Sequence, residues 1–163
     1  MSVNRYQPHV LVIPEDRADE QIANGFIQHD RIQIRRIQIL PCANGWPGVL
    51  EKFKVEYVRH LRMYPQAQVI LLIDFDRQYK SRRQMFEDET PVDLRERVYV
   101  IGASDNPESL RDALGTNFES IGLALADECY RRISAMWAHK DLKHNEPDRL
   151  WLLESVRSTV FLL

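Results

Sequence analysis

Apolar residues along the chain fall into short β-branched runs followed by stretches of helical spacing. His9–Ile13 is an apolar run held between Pro8 and Pro14, too short for a helix and suited to a buried strand. Asp16 can cap a following helix whose stripe is Ile22, Phe26 and Ile27, ending near Gln28. From Ile32 to Leu40 the alternation changes phase across Arg35 and Arg36, which predicts a bulge or break in an extended segment. Asn44-Gly45 and Trp46-Pro47 form a turn, and Leu50, Phe53, Tyr57 and Leu61 predict a helix over Val49–Met63. Gln68–Ile73 has no polar interruption after its first residue, as a central strand covered on both faces would. Arg77–Pro91 is charged and fits either a short helix or a loop. Val98–Ile101 predicts a further strand, and Asn106-Pro107-Glu108 opens a helix to Leu114. The remainder reads as helix over Phe118–His139, with Ile121, Leu125, Cys129 and Ile133 on one stripe, and over Pro147–Val160.

Strands alternating with helices, then helices alone, predict an α/β fold: a mainly parallel four-stranded sheet flanked by helices, with an α-helical C-terminal extension. With 163 residues the expectation is one domain, in which 1–114 form the sheet-containing core and 115–163 a helical extension packed on it. The start of the chain lacks the pattern of a signal peptide and no apolar run approaches bilayer length, so the expectation is a cytoplasmic protein without a membrane partner. Cys42 and Cys129 stand apart from any zinc-like spacing and read as reduced thiols, and the five histidines form no pair with ligand spacing.

In an open parallel sheet, ligands bind beyond the carboxyl ends of the strands, and that edge is where the acids fall. Glu15 and Asp16 end the first strand, Asp74 and Asp76 end the most apolar one, and Asp105 and Glu108 follow the last. Converging carboxylates repel, and either protonation or a bound cation relieves them. A hard divalent ion is the economical partner, Mg²⁺ or Mn²⁺, since it takes oxygen ligands and leaves room for phosphate oxygens. Alternate residues of an extended segment point the same way, so Asp74 and Asp76 are expected to address one ion together with Glu15, with Asp16, Asp19 and Glu108 as assisting acids.

The formal charge of −2 gives no overall attraction to nucleic acid. Arg31, Arg35 and Arg36 nevertheless cluster, as do Arg77, Lys80, Arg82 and Arg83 directly after the acidic pair. The second cluster is a candidate phosphate contact or a solvated face balanced by Glu87, Asp88 and Glu89. Trp46 can stack on a base or fill the core beneath its turn. Val160–Leu163 can dock on its own domain or form a homodimer contact.

The segment from Val10 through Glu15 to Glu20 resembles the first motif of the TOPRIM domain, a strand running into a glutamate and an acidic helix start. Val69–Arg77, with Asp74-Phe75-Asp76, resembles its second motif, a strand followed by Asp-x-Asp. The resemblance covers about the first 100 residues, departs from the family in having Asp16 where glycine is usual and Pro14 before the glutamate, and leaves 115–163 unmatched. It implies a Mg²⁺-dependent nuclease acting on DNA or RNA, with Glu15 as general acid/base or ligand and Asp74 and Asp76 as ligands. Further domains would have to come from a protein partner. The alternatives are non-enzymatic: a degenerate TOPRIM used for protein contacts, or a response-regulator receiver phosphorylated on Asp74. Glu15/Asp16, Asp74 and Val98–Ser104 also resemble receiver features, without the Lys-Pro of a fifth strand.

Overall fold

The computed structural model describes residues 2–163. Four strands, β1 (His9–Pro14), β2 (Ile37–Ile39), β3 (Ala67–Leu72) and β4 (Val98–Ile101), pair in the order β2-β1-β3-β4, all parallel. β1 and β3 are therefore the two central strands and share their full length in register, His9 opposite Ala67 and Pro14 opposite Leu72. Successive side chains of a strand point to opposite faces. Val10, Val12, Ile70, Tyr99 and Ile101 accordingly enter one apolar layer, and Leu11, Ile13, Val69, Leu71 and Val100 enter the other.

The second layer is covered by α2 (Trp46–Lys52), which runs through a π turn (Phe53–Tyr57) into α3 (Val58–Met63), and by α4 (Tyr79–Glu89). Val49, Phe53, Leu61 and Phe86 are its buried anchors. The segment of ambiguous sequence after Asp74 is thus a helix, held to the sheet by Phe86 alone among its fully buried residues.

The first layer is covered by α1 (Arg17–Phe26), α5 (Pro107–Leu114), α6 (Phe118–Arg131) and the closing helices α7 (Glu146–Trp151) and α8 (Arg157–Val160). Ile121, Leu125, Cys129, Trp137, Leu152, Val156 and Phe161 belong to one buried cluster with the strand residues. The C-terminal third therefore supplies more than half of the buried residues of this layer and none of the other. α6 stops at Arg131, because Arg132 adopts a left-handed conformation (φ 59°) and the chain turns back. Ile133, expected on the same stripe, lies beyond that end and is exposed.

The break expected across Arg35 and Arg36 is present as a turn. The Ile32–Leu40 segment is a strand only over Ile37–Ile39, since the backbone turns at 33–36, where Arg36 N–H donates to Gln33 C=O. Ile32 instead forms an antiparallel bridge with Phe161. The apolar C-terminus docks on its own domain through that bridge, with Val160 and Phe161 buried and Leu162 and Leu163 exposed. At the amino edge of the sheet His9 and His60, 51 residues apart in sequence, place their Nε2 atoms 2.8 Å from each other. Gln7 C=O can only accept, so His9 carries its proton on Nδ1 and His60 donates through Nε2. Burial pushes the His60 pKa down to about 4, keeping the pair neutral.

α1 is placed by a close crossing with α6. A Cβ on Gly122 would lie 1.9 Å from Ile22 O, and one on Gly25 would lie 2.1 Å from Glu119 O. The two backbones touch where no side chain intervenes. Gly122→Ala must push the helices apart, and the expected cost is about 2–3 kcal/mol. Urea denaturation checks it: a midpoint unchanged from wild type would contradict this packing.

Candidate metal centre

β1 hands over to α1 in two residues. Pro14 is the last strand residue, Glu15 continues the ladder by donating its N–H to Leu72 C=O (2.8 Å), and Asp16 caps α1 by accepting from Asp19 N–H (3.1 Å). Asp16 at the cap and Asp19 at the third helical position place acids where the free amide groups and the helix dipole favour negative charge. α1 starts beside the end of β3, so the Asp19 side chain looks across the sheet edge toward Asp74.

One carboxylate oxygen from each of Glu15, Asp19 and Asp74 lies within 4.8 Å of the others, and all three residues are buried. The Glu15 carboxylate is fixed by backbone donors, the N–H groups of Asp74 and Trp46. The Asp19 and Asp74 carboxyls are within hydrogen-bonding reach of each other. When both are ionised, Asp19 Oδ2 and Asp74 Oδ1 are buried acceptors without a donor among the described residues. A shared proton or a cation relieves such a pair of its repulsion as well as its missing donor.

The protonation equilibria follow. Burial pushes the Asp74 carboxyl up to about 8, aided by the charges of Glu15 and Asp16 and opposed by its bond with Asp19. Asp19 is raised well above the carboxylate range by burial and by the facing Asp74 charge. Glu15 is raised less: burial lifts it, and the Asp74 and Trp46 amides pull it back. Near neutral pH the cluster therefore holds a proton that a cation can replace. This buried cluster can bind a metal ion, with an all-oxygen donor set suited to hard divalent cations.

Asp76 lies outside the 4.8 Å cluster. The strand ends at Leu72, and Asp76 and Arg77 are both left-handed (φ 49° and 63°), so the alternation of an extended chain does not extend to Asp76. The turn is held by Asp76 N–H to Asp105 C=O (3.1 Å) and Arg77 N–H to Ser104 C=O (2.6 Å). The Asp76 carboxylate meets Arg82 Nη1 at 2.6 Å, and its charge raises the Glu15 pKa from outside the cluster. Asp19, expected only to assist, takes the third place. Its signal is its position three residues after a capping aspartate, on the helix turn that faces the strand ends. Asp16 supports it through the cap, while Glu108 is exposed on the first turn of α5, outside the converging carboxylates.

The expected phosphate contacts separate into two kinds. Arg82 is largely buried and ties the site together: Nη1 also donates to Asp74 C=O (2.9 Å), and the guanidinium lies 4.9 Å from the Trp46 ring centroid. Trp46 is half-buried, edge-on to Phe86 (6.3 Å between centroids), so it packs the second layer and offers Arg82 a π face. Arg83 points away, donating to the carbonyls of Val100 and His144 and lying over Phe75 at 5.0 Å. Arg77 is exposed and pairs with Asp105 (3.1 Å), and Lys80 is exposed on the first turn of α4.

The residue at this edge that the sequence did not single out is Asn145. Buried in the C-terminal segment, it accepts from Gly102 N–H (3.1 Å) and donates to Gly102 C=O (2.9 Å) and Leu142 C=O (2.9 Å). Gly102 leaves β4 at φ 158°, with space for a Cβ only 1.6 Å from Ile73 O. The Asn145 amide thus copies a strand's hydrogen bonding where β4 has no further neighbour.

An acid whose folded-state pKa is raised contributes stability that is present at low pH and lost as pH rises from its unfolded value, near 3.8, through its folded value, near 8. The melting temperature in EDTA should therefore fall between pH 5 and pH 8 more steeply in the wild type than in Asp74→Asn. That variant should be more stable than wild type at pH 8 by at least about 1 kcal/mol, and millimolar Mn²⁺ should restore the wild type alone. Equal slopes in the two proteins would contradict the proposed charge crowding. Comparison of the chain with protein-family models, with curated proteins and with solved structures finds no match.

Proposed function

We propose that the protein is a divalent-metal-dependent phosphodiesterase acting on nucleic acid, with Glu15, Asp19 and Asp74 as the metal-holding residues. The observation that carries this reading is the pair of buried, donorless carboxylate oxygens on Asp19 and Asp74 beside the backbone-anchored Glu15. With no donor on either oxygen among the described residues, this pair is left to a proton or a cation. It lies at the carboxyl edge of two central parallel strands, where substrates of such sheets bind. The TOPRIM resemblance of Val10–Glu20 and Val69–Arg77 supports the same chemistry.

A bound divalent cation supplies polarisation of a phosphoryl oxygen and a water more acidic than bulk water. The chain's own residues do the rest. The Asp74 and Trp46 amides hold the Glu15 carboxylate at one orientation, so it is pre-set to ligate or to take the proton of an attacking water. Asp19 presents its carboxylate beside Asp74 from the first turn of α1. Arg82 grips the Asp74 carbonyl and pairs with Asp76, so that the Asp76 charge is neutralised beside the trio and adds little to the repulsion a phosphate would meet. Asp76 and Arg82 form a latch that can open toward an incoming phosphate, since the Asp76 side chain is half exposed.

Purified protein with Mg²⁺ or Mn²⁺ should cleave single- or double-stranded DNA or RNA. Asp74→Ala, Asp19→Asn and Glu15→Gln should each lower the rate by about 10²-fold or more, and Asp76→Asn should lower it less. Cleavage that survives Asp74→Ala overturns the proposal. Labelling of Asp74 by acetyl phosphate, with no cleavage of any nucleic acid, would favour the receiver alternative.

A further inference from the structure

A second feature of the same sheet edge is a broad groove of about 520 Å³ lined by Arg77, Tyr79, Ser104, Lys140, Lys143 and His144. It is assembled from three segments distant in sequence, with Ser104 contributed by the stretch after β4. Arg77 and Tyr79 belong to the left-handed turn and first helical turn that follow Asp74. Lys140, Lys143 and His144 belong to the irregular segment between α6 and α7, which the sequence predicted to be helix as far as His139.

That segment is pinned to the exit of β4 by three anchors. Ser104 N–H donates to Asp141 C=O (2.9 Å), His144 Nε2 donates to Gly102 C=O (2.8 Å), and Asn145 bonds both backbone groups of Gly102. The hydrogen bond fixes the proton of His144 on Nε2, and burial pulls its pKa down to about 4, so the ring is a neutral platform between Phe75 (5.2 Å) and Tyr79 (5.1 Å). The consequence is that exposed Lys140 and Lys143 line the same groove as Arg77, the third residue after Asp74.

The charges in the groove are unevenly displayed. The ion pair here is Arg77 with Asp105, and Asp141 N–H donates to His139 Nδ1, which leaves Lys140 and Lys143 without a carboxylate partner among the described residues. The two acids are recessed, with side chains 27% and 18% exposed, whereas Arg77 is 82% exposed and both lysines are exposed. A ligand in the groove therefore meets cations first. An aromatic ring flanked by exposed cations in an open channel is the pairing used for single strands, with phosphates on the cations and a base on the ring. The volume and openness suit a chain passing through better than one enclosed phosphate.

We infer that the groove of Arg77, Tyr79, Lys140 and Lys143 is the track for the phosphodiester backbone of a single-stranded nucleic acid leaving the carboxylate cluster, so that the C-terminal segment selects the substrate. This rests on the phosphodiesterase reading for what happens at the cluster, but binding is separable from cleavage. The net charge of −2 makes the local display decisive.

The test measures fluorescence anisotropy of a labelled single-stranded DNA oligonucleotide and of the same RNA sequence, in EDTA, so that no metal-dependent step enters. The full chain should bind one or both. Lys140→Glu combined with Lys143→Glu should weaken binding at least about tenfold and reduce the slope of log affinity against log salt by about 1.4, two phosphate contacts on a single strand. Arg59→Glu with Arg62→Glu, exposed on α3 at the opposite edge, should change it less than twofold. Tyr79→Ala should weaken binding without changing the salt slope. Mn²⁺ affinity, measured separately by titration calorimetry, should be the same in the lysine variant as in wild type. The inference is overturned by no oligonucleotide binding in wild type, by equal losses in the two double variants, or by a mononucleotide that binds as tightly as the oligonucleotide. Cleavage failing while groove-dependent binding persists would overturn the phosphodiesterase reading and leave the track standing.

Discussion

Three carboxylates buried within 4.8 Å of one another repel, and the fold holds them there. Burial removes the water that would screen them, so each added charge raises the cost of the next. The chain does not spread that repulsion by letting a side chain swing out. Glu15 is bound by two backbone amides, Asp19 sits on the first turn of a capped helix, and Asp74 is the residue at which β3 hands over to its turn. A protein can hold such a cluster only if something positive, a proton or a metal ion, is part of its working state.

The rest of the architecture maintains that arrangement. β1 and β3 pair along their whole length, Pro14 opposite Leu72, which brings the Glu15 carboxylate within reach of the Asp74 N–H. The contact of α1 with α6 through Gly25 and Gly122 sets α1 close to the sheet and carries Asp19 with it. The C-terminal segment, through Asn145 and His144 on Gly102, fixes the exit of β4 beside the turn after Asp74. The region that the family resemblance does not cover is therefore structurally inseparable from the site. It completes one face of the core and supplies part of the groove beside the acids.

Much of this was legible in the chain because local chemistry and burial agreed. β1 and α5 follow directly from proline and asparagine punctuation, β4 from a short apolar run closed by Gly102, and the parallel sheet from the alternation of strands and helices. The carboxyl-edge acids were legible for the same reason, since Glu15 and Asp74 end runs that can only be buried strands. Asp76 was misleading because the rule that alternate residues share a face assumes extended backbone, and the chain turns left-handed one residue too soon. Arg83 looked like part of a basic patch, but its helix turns it inward to the carbonyls of Val100 and His144. Asn145, Lys140 and Lys143 were invisible, because their place at the site depends on tertiary anchoring of a segment that has no periodic pattern of its own.

Crystals soaked with Mn²⁺ and recorded at the manganese absorption edge address the central claim most directly. The account predicts one anomalous peak within about 2.2 Å of carboxylate oxygens of Glu15, Asp19 and Asp74, lost in Asp74→Ala crystals. A fully occupied manganese elsewhere, with the three carboxylates still facing one another around no ion at alkaline pH, would contradict it.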